Sequence, residues 1–268
     1  MKICAITMVY RDYWALSKWY AHYSAALGSE NLFVIAHGAD AKVSELCPNA
    51  NVVTVPRDTL AGFDKMRGHM LNSIQDGLGI AYDWVIRTDA DELISLDPAH
   101  YGSFDDLFRT HSGQKALFAL GMNIADGHGV FSGHYSKAWA VKRGTHLMRH
   151  GITMTRDAAF TLPRGVYLMH LKFADPDALD DANAHRKEIA SGSERGLPGK
   201  AWSEAWRHSK RFLNKLAKMP VTDWDTASAE AYEAITASPF KDEIAKVLRA
   251  RSIDFDSKTV LPDWFTYD

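Results

Sequence analysis

The chain reads as an α/β protein built on a mostly parallel sheet. Three observations carry this. Short apolar runs rich in β-branched residues alternate with amphipathic helical stretches over residues 1–90. The apolar runs show little polar alternation, as expected of strands covered on both faces. Each run also ends in a polar loop, the place where parallel sheets gather their ligands.

ICAITMV (3–9) is the first strand. In the stretch that follows, Trp14, Leu16, Trp19, Tyr20, Tyr23 and Leu27 recur at helical spacing. Asp12 suits the helix start and Gly28 its end. NLFVIA (31–36) is the second strand, leading into a polar loop that reaches Asp40. NVVTV (51–55) is the third, closed by Pro56; FDKMRGHMLNSIQDGLG is a second long helix, and DWVIRT a fourth strand. Strand and helix alternating in this order require right-handed crossovers. They bring Tyr10, Asp40 and the residues after DWVIRT to one edge of the sheet.

The second half is less regular. KALFALGMNIA, KAWAVKR and GVYLMHLKF read as strands, with DGHGVFSGHYS as a glycine-rich loop. From Pro176 the pattern turns helical, in ALDDANAHRKEIASG, KAWSEAWRHSKRFLNKLAKM and PFKDEIAKVLRARS. The expected organisation is a catalytic domain over 1–175 and a helical C-terminal extension over 176–268.

The 268 residues, 46% hydrophobic and 24% charged, are enough to bury a sizeable core. A net charge of −2 offers no global field for nucleic acid, so no nucleic-acid partner is expected. Cys4 and Cys47 form neither a metal spacing nor a disulfide framework, which fits a reducing compartment. Neither a signal-peptide pattern nor a membrane-spanning run is present, so a cytoplasmic location is expected. Two stretches are locally basic: 137–150, with Lys137, Lys142, Arg143 and Arg149, and 200–219. Each suits either a solvated face or contact with phosphate or an anionic membrane surface.

The chemistry concentrates in WVIRTDADELISL. In an extended strand end, Asp89 and Asp91 share a face. Two hard carboxylates on one face suit Mg²⁺ or Mn²⁺. The competing reading is a helix start, where Asp and Glu are also favoured.

AITMVYRDYWALSKWYAHYSAALGSENLFVIAHGAD, with Trp19, His22, Tyr23, Leu27 and Gly28, resembles the opening of the family 2-like nucleotide-sugar glycosyltransferases. DWVIRTDADEL resembles their strand followed by D-x-D-E. One departure is visible: Arg11-Asp12 stands where that family carries Asn-Glu. The resemblance implies a GT-A fold and transfer of a sugar from a nucleotide diphosphate, a UDP-sugar above all. A Mn²⁺ or Mg²⁺ ion would neutralise the leaving diphosphate, and the acceptor would be a glycan or glycolipid, as in bacterial surface polysaccharide or lipopolysaccharide synthesis. Work at the inner membrane face would bring peripheral membrane contact through the basic helices.

Residue by residue, Asp91 is expected to hold the metal. Asp89 is expected at the ribose or at the metal through water, Ala90 lies between them, and Glu92 either orients the loop or starts a helix. His170, at the end of GVYLMH, stands where the family carries a late histidine that completes the metal site; alternatively it is bound to a backbone carbonyl. Lys172 suits the diphosphate as a point charge. Arg67 sits where the family places a basic residue near the pyrophosphate. Asp40 is a candidate for hydrogen bonds to the base, Thr7 and Val9 for framing it, and Tyr10 for stacking on it. Asp157, Asp126 and Asp175 are available as the base that an inverting transfer needs, with Asp157 preferred. Phe131, Tyr135, Trp139 and Trp202 suit either core packing or a sugar face. A sugar-phosphate nucleotidyltransferase is the alternative enzyme, but TMVYRDYW has no glycine-rich loop. A non-catalytic binding protein on the same scaffold is a third reading.

Overall fold

The computed structural model describes residues 1–58, 60, 62–148, 150–192, 200–237 and 239–267. The fold is α/β, with parallel-rich sheet flanked by helices in a Rossmann-type alternation of strand and helix. β1 (Ile3–Val9) leads to α1 (Tyr13–Leu27), β2 (Leu32–His37), α2 (Ala41–Leu46), β3 (Asn51–Val55), α3 (Phe63–Leu78) and β4 (Trp84–Arg87). These four strands are parallel, in the order β3-β2-β1-β4. All seven residues of β1 are buried, as a strand covered on both faces requires.

After β4 the chain makes a tight turn, with the Glu92 amide donating to the Asp89 carbonyl (3.1 Å). It then enters β5 (Glu92–Leu96), followed by α4 (Phe104–Thr110). Glu92 therefore begins a strand rather than a helix. The run 115–125 is two strands, β6 (Ala116–Phe118) and β7 (Leu120–Ala125), which enter different sheets. Part of the expected glycine-rich loop is strand, β8 (His128–Phe131), because Asp126 (φ 50°) and Gly127 (φ 68°) make the hairpin turn from β7.

β9 (Ala138–Val141) runs antiparallel to β4 and extends the first sheet, with β6 at its edge. β10 (Leu147–Met148), β11 (Gly151–Thr153) and β12 (Val166–His170) follow. β12 lies between β7, parallel, and β5, antiparallel, in the second sheet. The acidic turn is thus where the chain leaves one sheet for the other.

Beyond Pro176 come α5 (Pro176–Ala190), α6 (Lys200–Ser203), α7 (Ala205–Leu216) and α8 (Trp224–Ala237). The expected last helix is instead a hairpin, β13 (Phe240–Asp242) with β14 (Val247–Arg249). Two local features end helical order there. The Asp242 carboxylate accepts from the amides of Ile244 and Ala245, and Lys246 takes a left-handed φ of 54°. β14 then pairs with β11, and β15 (Thr259–Val260) pairs with β8. α8 buries Ala227, Ala231 and Ile235 in the same apolar cluster as β1 and β4. No helix is long and apolar enough to cross a membrane among the described residues.

Gly121 is a point of close approach. A Cβ there would lie 2.1 Å from the Tyr135 carbonyl carbon and 2.5 Å from the Ser136 nitrogen. Gly121→Ala is therefore expected to cost about 3 kcal/mol and to displace the loop carrying His134 and Tyr135. Urea unfolding of the variant checks it.

Candidate active site

Local brackets position the acidic turn. Trp19 Nε1 donates to Thr88 Oγ1 (2.9 Å), the Ile94 amide donates to the Tyr23 hydroxyl (3.1 Å), and His22 Nε2 donates to the Ile94 carbonyl (2.8 Å). The Trp19, His22 and Tyr23 set is therefore a brace. It ties α1 to both sides of residues 89–92, and Trp19 and Tyr23 are fully buried. Burial lowers the His22 pKa, keeping the ring neutral.

The turn faces a cavity of about 380 Å³. Asp89, Ala90, Asp91, Glu92 and His170 line one side, Tyr10, Arg11 and Asp12 another, and α5 contributes Ala182, His185, Arg186 and Ile189. Arg11 has a left-handed φ of 52°, an uncommon conformation for a residue with a side chain. It allows three consecutive residues after β1 to line the cavity.

Strand pairing assembles the central group. His170 lies opposite Glu92 in the β12–β5 register and beside Asn123 in the β12–β7 register. The Leu171 amide donates to the Asp91 carbonyl (2.7 Å). Oxygen and nitrogen ligand atoms of Asp91, Glu92 and His170 all fall within 4.8 Å of one another. His170 Nδ1 donates to Asn123 Oδ1 (2.7 Å), and burial lowers its pKa, so the neutral ring is favoured. With the proton on Nδ1, the Nε2 lone pair points at Asp91 Oδ2, 3.3 Å away. A divalent ion bound here would be met by both of these donors, and although burial opposes it His170 already lowers the Asp91 pKa, keeping the carboxylate ionised. The donor set, two carboxylates and an imidazole, fits a divalent ion of the Mn²⁺ type.

Asp89 does not join this group. Its carboxylate is held by Arg67 on one oxygen and Lys137 on the other (3.4 Å). Burial alone would raise its pKa, but Arg67 and Lys137 outweigh that and hold it well below the usual carboxylate range. Lys137 also meets Glu92 Oε1 at 2.7 Å. Burial opposes its ammonium, yet Glu92 and Asp89 keep its pKa above the usual lysine range. Glu92, almost fully buried, is pushed up to about 7 by burial, with Lys137 pulling the other way.

The remaining sequence candidates separate. Val9 and Tyr10 line the cavity, but one face of the Tyr10 ring carries the Arg57 guanidinium at 3.4 Å. Arg57 also donates to His37 Nδ1 (2.7 Å), and His37 stacks on Phe63. Thr7 is fully buried inside β1 and does not line the cavity. Asp40 caps α2, accepting from the Lys42 amide (3.1 Å) and the Tyr13 hydroxyl (2.8 Å). It borders a smaller neighbouring cavity of about 170 Å³. Lys172 is half-buried, and burial and Arg186 lower its pKa to about 8.

Asp157 is exposed and paired with Lys115 (3.3 Å). Asp126 is exposed at the β7–β8 turn, and Asp175 caps α5. None of the three lines the cavity. Phe131 and Trp139 are buried core residues, whereas Tyr135 stacks on His170 at 3.9 Å and Trp202 lines the cavity. Arg149 lies outside the described residues.

Lys137, Arg186 and Asp12 do not stand out as site residues in the sequence. Arg186 has a buried Nη1 with no hydrogen-bond partner among the described residues, a donor available to an anionic ligand. Asp12 is raised to about 6 by burial and by Asp91, with Arg186 opposing. A carboxyl whose folded pKa is raised contributes stability below about 3.8, lost as pH climbs through about 6. Asp12→Asn is therefore expected to stabilise the ligand-free protein by about 1–3 kcal/mol at pH 7 and to change little at pH 4. Thermal melts at the two pH values check this.

No protein-family model and no curated relative matches the chain. Among solved structures, it is similar to mannose-1-phosphate geranyltransferase from Thermus thermophilus, at 11% identity and a TM-score of 0.32, over 97% of this chain and 74% of that one. It is also similar to UDP-glucose pyrophosphorylase complexed with UDP-glucose, at 10% identity and a TM-score of 0.26, over 79% and 88% of the two chains.

Proposed function

We propose that this chain is a divalent-cation-dependent transferase that moves a sugar from a nucleotide diphosphate, a UDP-sugar, to a hydroxyl of a glycan or glycolipid. The observation that carries this reading is the Asp91–His170 pair, two electron-pair donors 3.3 Å apart in a cavity that also holds Arg57, Arg67, Lys137 and Arg186. Asp91, Glu92 and His170 would hold the ion, and Mn²⁺ suits the imidazole better than Mg²⁺. Such an ion offsets the negative charge that develops on a departing diphosphate.

The chain's own groups account for the rest. Arg186 offers its unmatched donor to a phosphate oxygen. Arg67 and Lys137 hold Asp89 ionised and fix the turn. Val9 and Tyr10, with Arg57 behind the ring, form a flat wall suited to a base.

The test is a panel of nucleotide sugars incubated with Mn²⁺ or with chelator, scored for released nucleoside diphosphate. Metal-dependent release from one class of donor is expected. Pyrophosphate-dependent conversion of a nucleotide sugar would favour a nucleotidyltransferase instead. No turnover and no nucleotide binding by folded protein would leave a binding protein.

A further inference from the structure

The outer face of α7 is built for a charged, apolar-centred surface rather than for water alone. The helix packs inward through Ala205, Ser209, Phe212 and Leu216, with Phe212 stacked on Phe173 at 4.2 Å. Next to that buried face Trp206, Lys210, Leu213 and Ala217 fall at i, i+4, i+7 and i+11, one continuous stripe. Trp206 is 51% exposed and Leu213 36% exposed. Arg207, Arg211 and Lys218 flank that stripe. From Ala205 to Met219 the chain carries five lysines and arginines and no acidic residue. Lys210, Arg211 and Lys218 make no ion pair among the described residues, while Arg207 meets Glu204 and Lys215 meets Asp256.

We propose that this face docks on an anionic phospholipid surface. An exposed tryptophan and leucine beside Lys210, Arg211 and Lys218, which make no ion pair among the described residues, match the two components of an interfacial helix: apolar insertion at the headgroup level and attraction to acidic lipids. A solvated helix face needs neither the bare indole nor the one-sided charge. A nucleic acid would use the cations but leaves Leu213 without a role. The placement is also functional. α7 packs on α5 through Asn183 and Ser209 (3.4 Å), and an adjacent face of α5 supplies Ala182, His185, Arg186 and Ile189 to the cavity. Docking through α7 therefore sets the cavity one helix away from the bilayer. That the acceptor is a membrane lipid carrying a free hydroxyl rests on the transferase reading; the docking itself does not.

Flotation of the full chain with phosphatidylcholine–phosphatidylglycerol vesicles, and with phosphatidylcholine alone, tests this without any nucleotide. The wild type is expected to float with the acidic vesicles, to stay behind with neutral ones, and to be released by high salt. Removing a cation should weaken binding about fivefold each, so K210E/R211E should abolish it. W206S/L213S should reduce it at least about tenfold. W206S alone, at a side chain already half in solvent, keeps the test readable if the double variants do not fold. The proposal is overturned if the wild type ignores acidic vesicles, if W206S and W206S/L213S bind as the wild type does, or if only soluble polyanions such as heparin are bound. Loss of flotation with donor turnover intact would leave the transferase reading standing. Flotation without turnover would leave the docking standing.

Discussion

Lys137→Met is expected to destabilise the fold by about 3–5 kcal/mol, the largest stability effect of any single change at the site. The ammonium is the common partner of Glu92, at 2.7 Å, and Asp89, at 3.4 Å. Methionine fills similar space but leaves Glu92 almost fully buried with an uncompensated charge. The size of the loss should depend on pH in a defined direction. Glu92 already sits near 7 with Lys137 present, and removing the cation pushes it higher. The folded state then favours the protonated acid, whose stability contribution is present below about 4.3 and fades as pH rises through the folded value. K137M should therefore be closer to wild type at pH 5 than at pH 8. Adding Glu92→Gln should recover part of the loss, a coupling that a double-mutant cycle reads directly. Equal destabilisation at both pH values, with no recovery in the double variant, would show that Lys137 acts through packing alone.

Asp91→Asn is expected to do the reverse: abolish turnover and spare the fold. Asparagine keeps the shape but removes the charge and one hard oxygen ligand. Its amide can donate to His170 Nε2, so the contact at 3.3 Å is kept. Because the Asp91 pKa is lowered in the fold, the melting temperature without ligand should stay level or fall slightly at neutral pH. Donor turnover should fall at least about a thousandfold, because the charge on the leaving diphosphate loses its counterion seat. Retained turnover in D91N would remove Asp91 from the reaction.

Much of the first half is visible in the sequence because its determinants are local. β1, α1, β2, β3, α3 and β4 follow from apolar runs, helical spacing and Gly or Pro punctuation. Asp91 and His170 stand out in the sequence for a related reason: Asp91 lies in the turn just past the buried strand β4, and His170 is the last residue of β12. The resemblance to glycosyltransferases also draws attention to Trp19, His22 and Tyr23, although only the three-dimensional arrangement gives them their task of bracing the acidic turn.

What is not legible depends on long-range pairing. Continuing the β4–β9 register, Val85 with Val141 and Ile86 with Ala140, brings Lys137 opposite Asp89. Nothing within reach of Lys137 in the chain announces that partner. Asn123 is another case, an amide inside an apolar strand whose neighbour across the sheet happens to be His170. Arg186 belongs to a helix whose polar pattern reads as solvated until the helix is laid over the cavity. Asp157 and Asp126 lie away from the cavity. Each is a carboxylate near candidate acceptor residues in sequence, but turn geometry carries both to the surface. The 240–249 hairpin is hidden because its apolar residues fit a helical period equally well; the Asp242 turn and the pairing with β11 decide it.

The central claim is that Asp91 and His170 form a cation seat that works together with a diphosphate. Electron paramagnetic resonance of Mn²⁺ measures it directly, by titrating the ion into wild type and D91N with and without UDP. The expected result is a bound Mn²⁺ signal in the wild type that tightens when UDP is added, because each ligand raises the affinity for the other, and no bound signal in D91N under either condition. Identical Mn²⁺ binding by wild type and D91N, with UDP present, would contradict it.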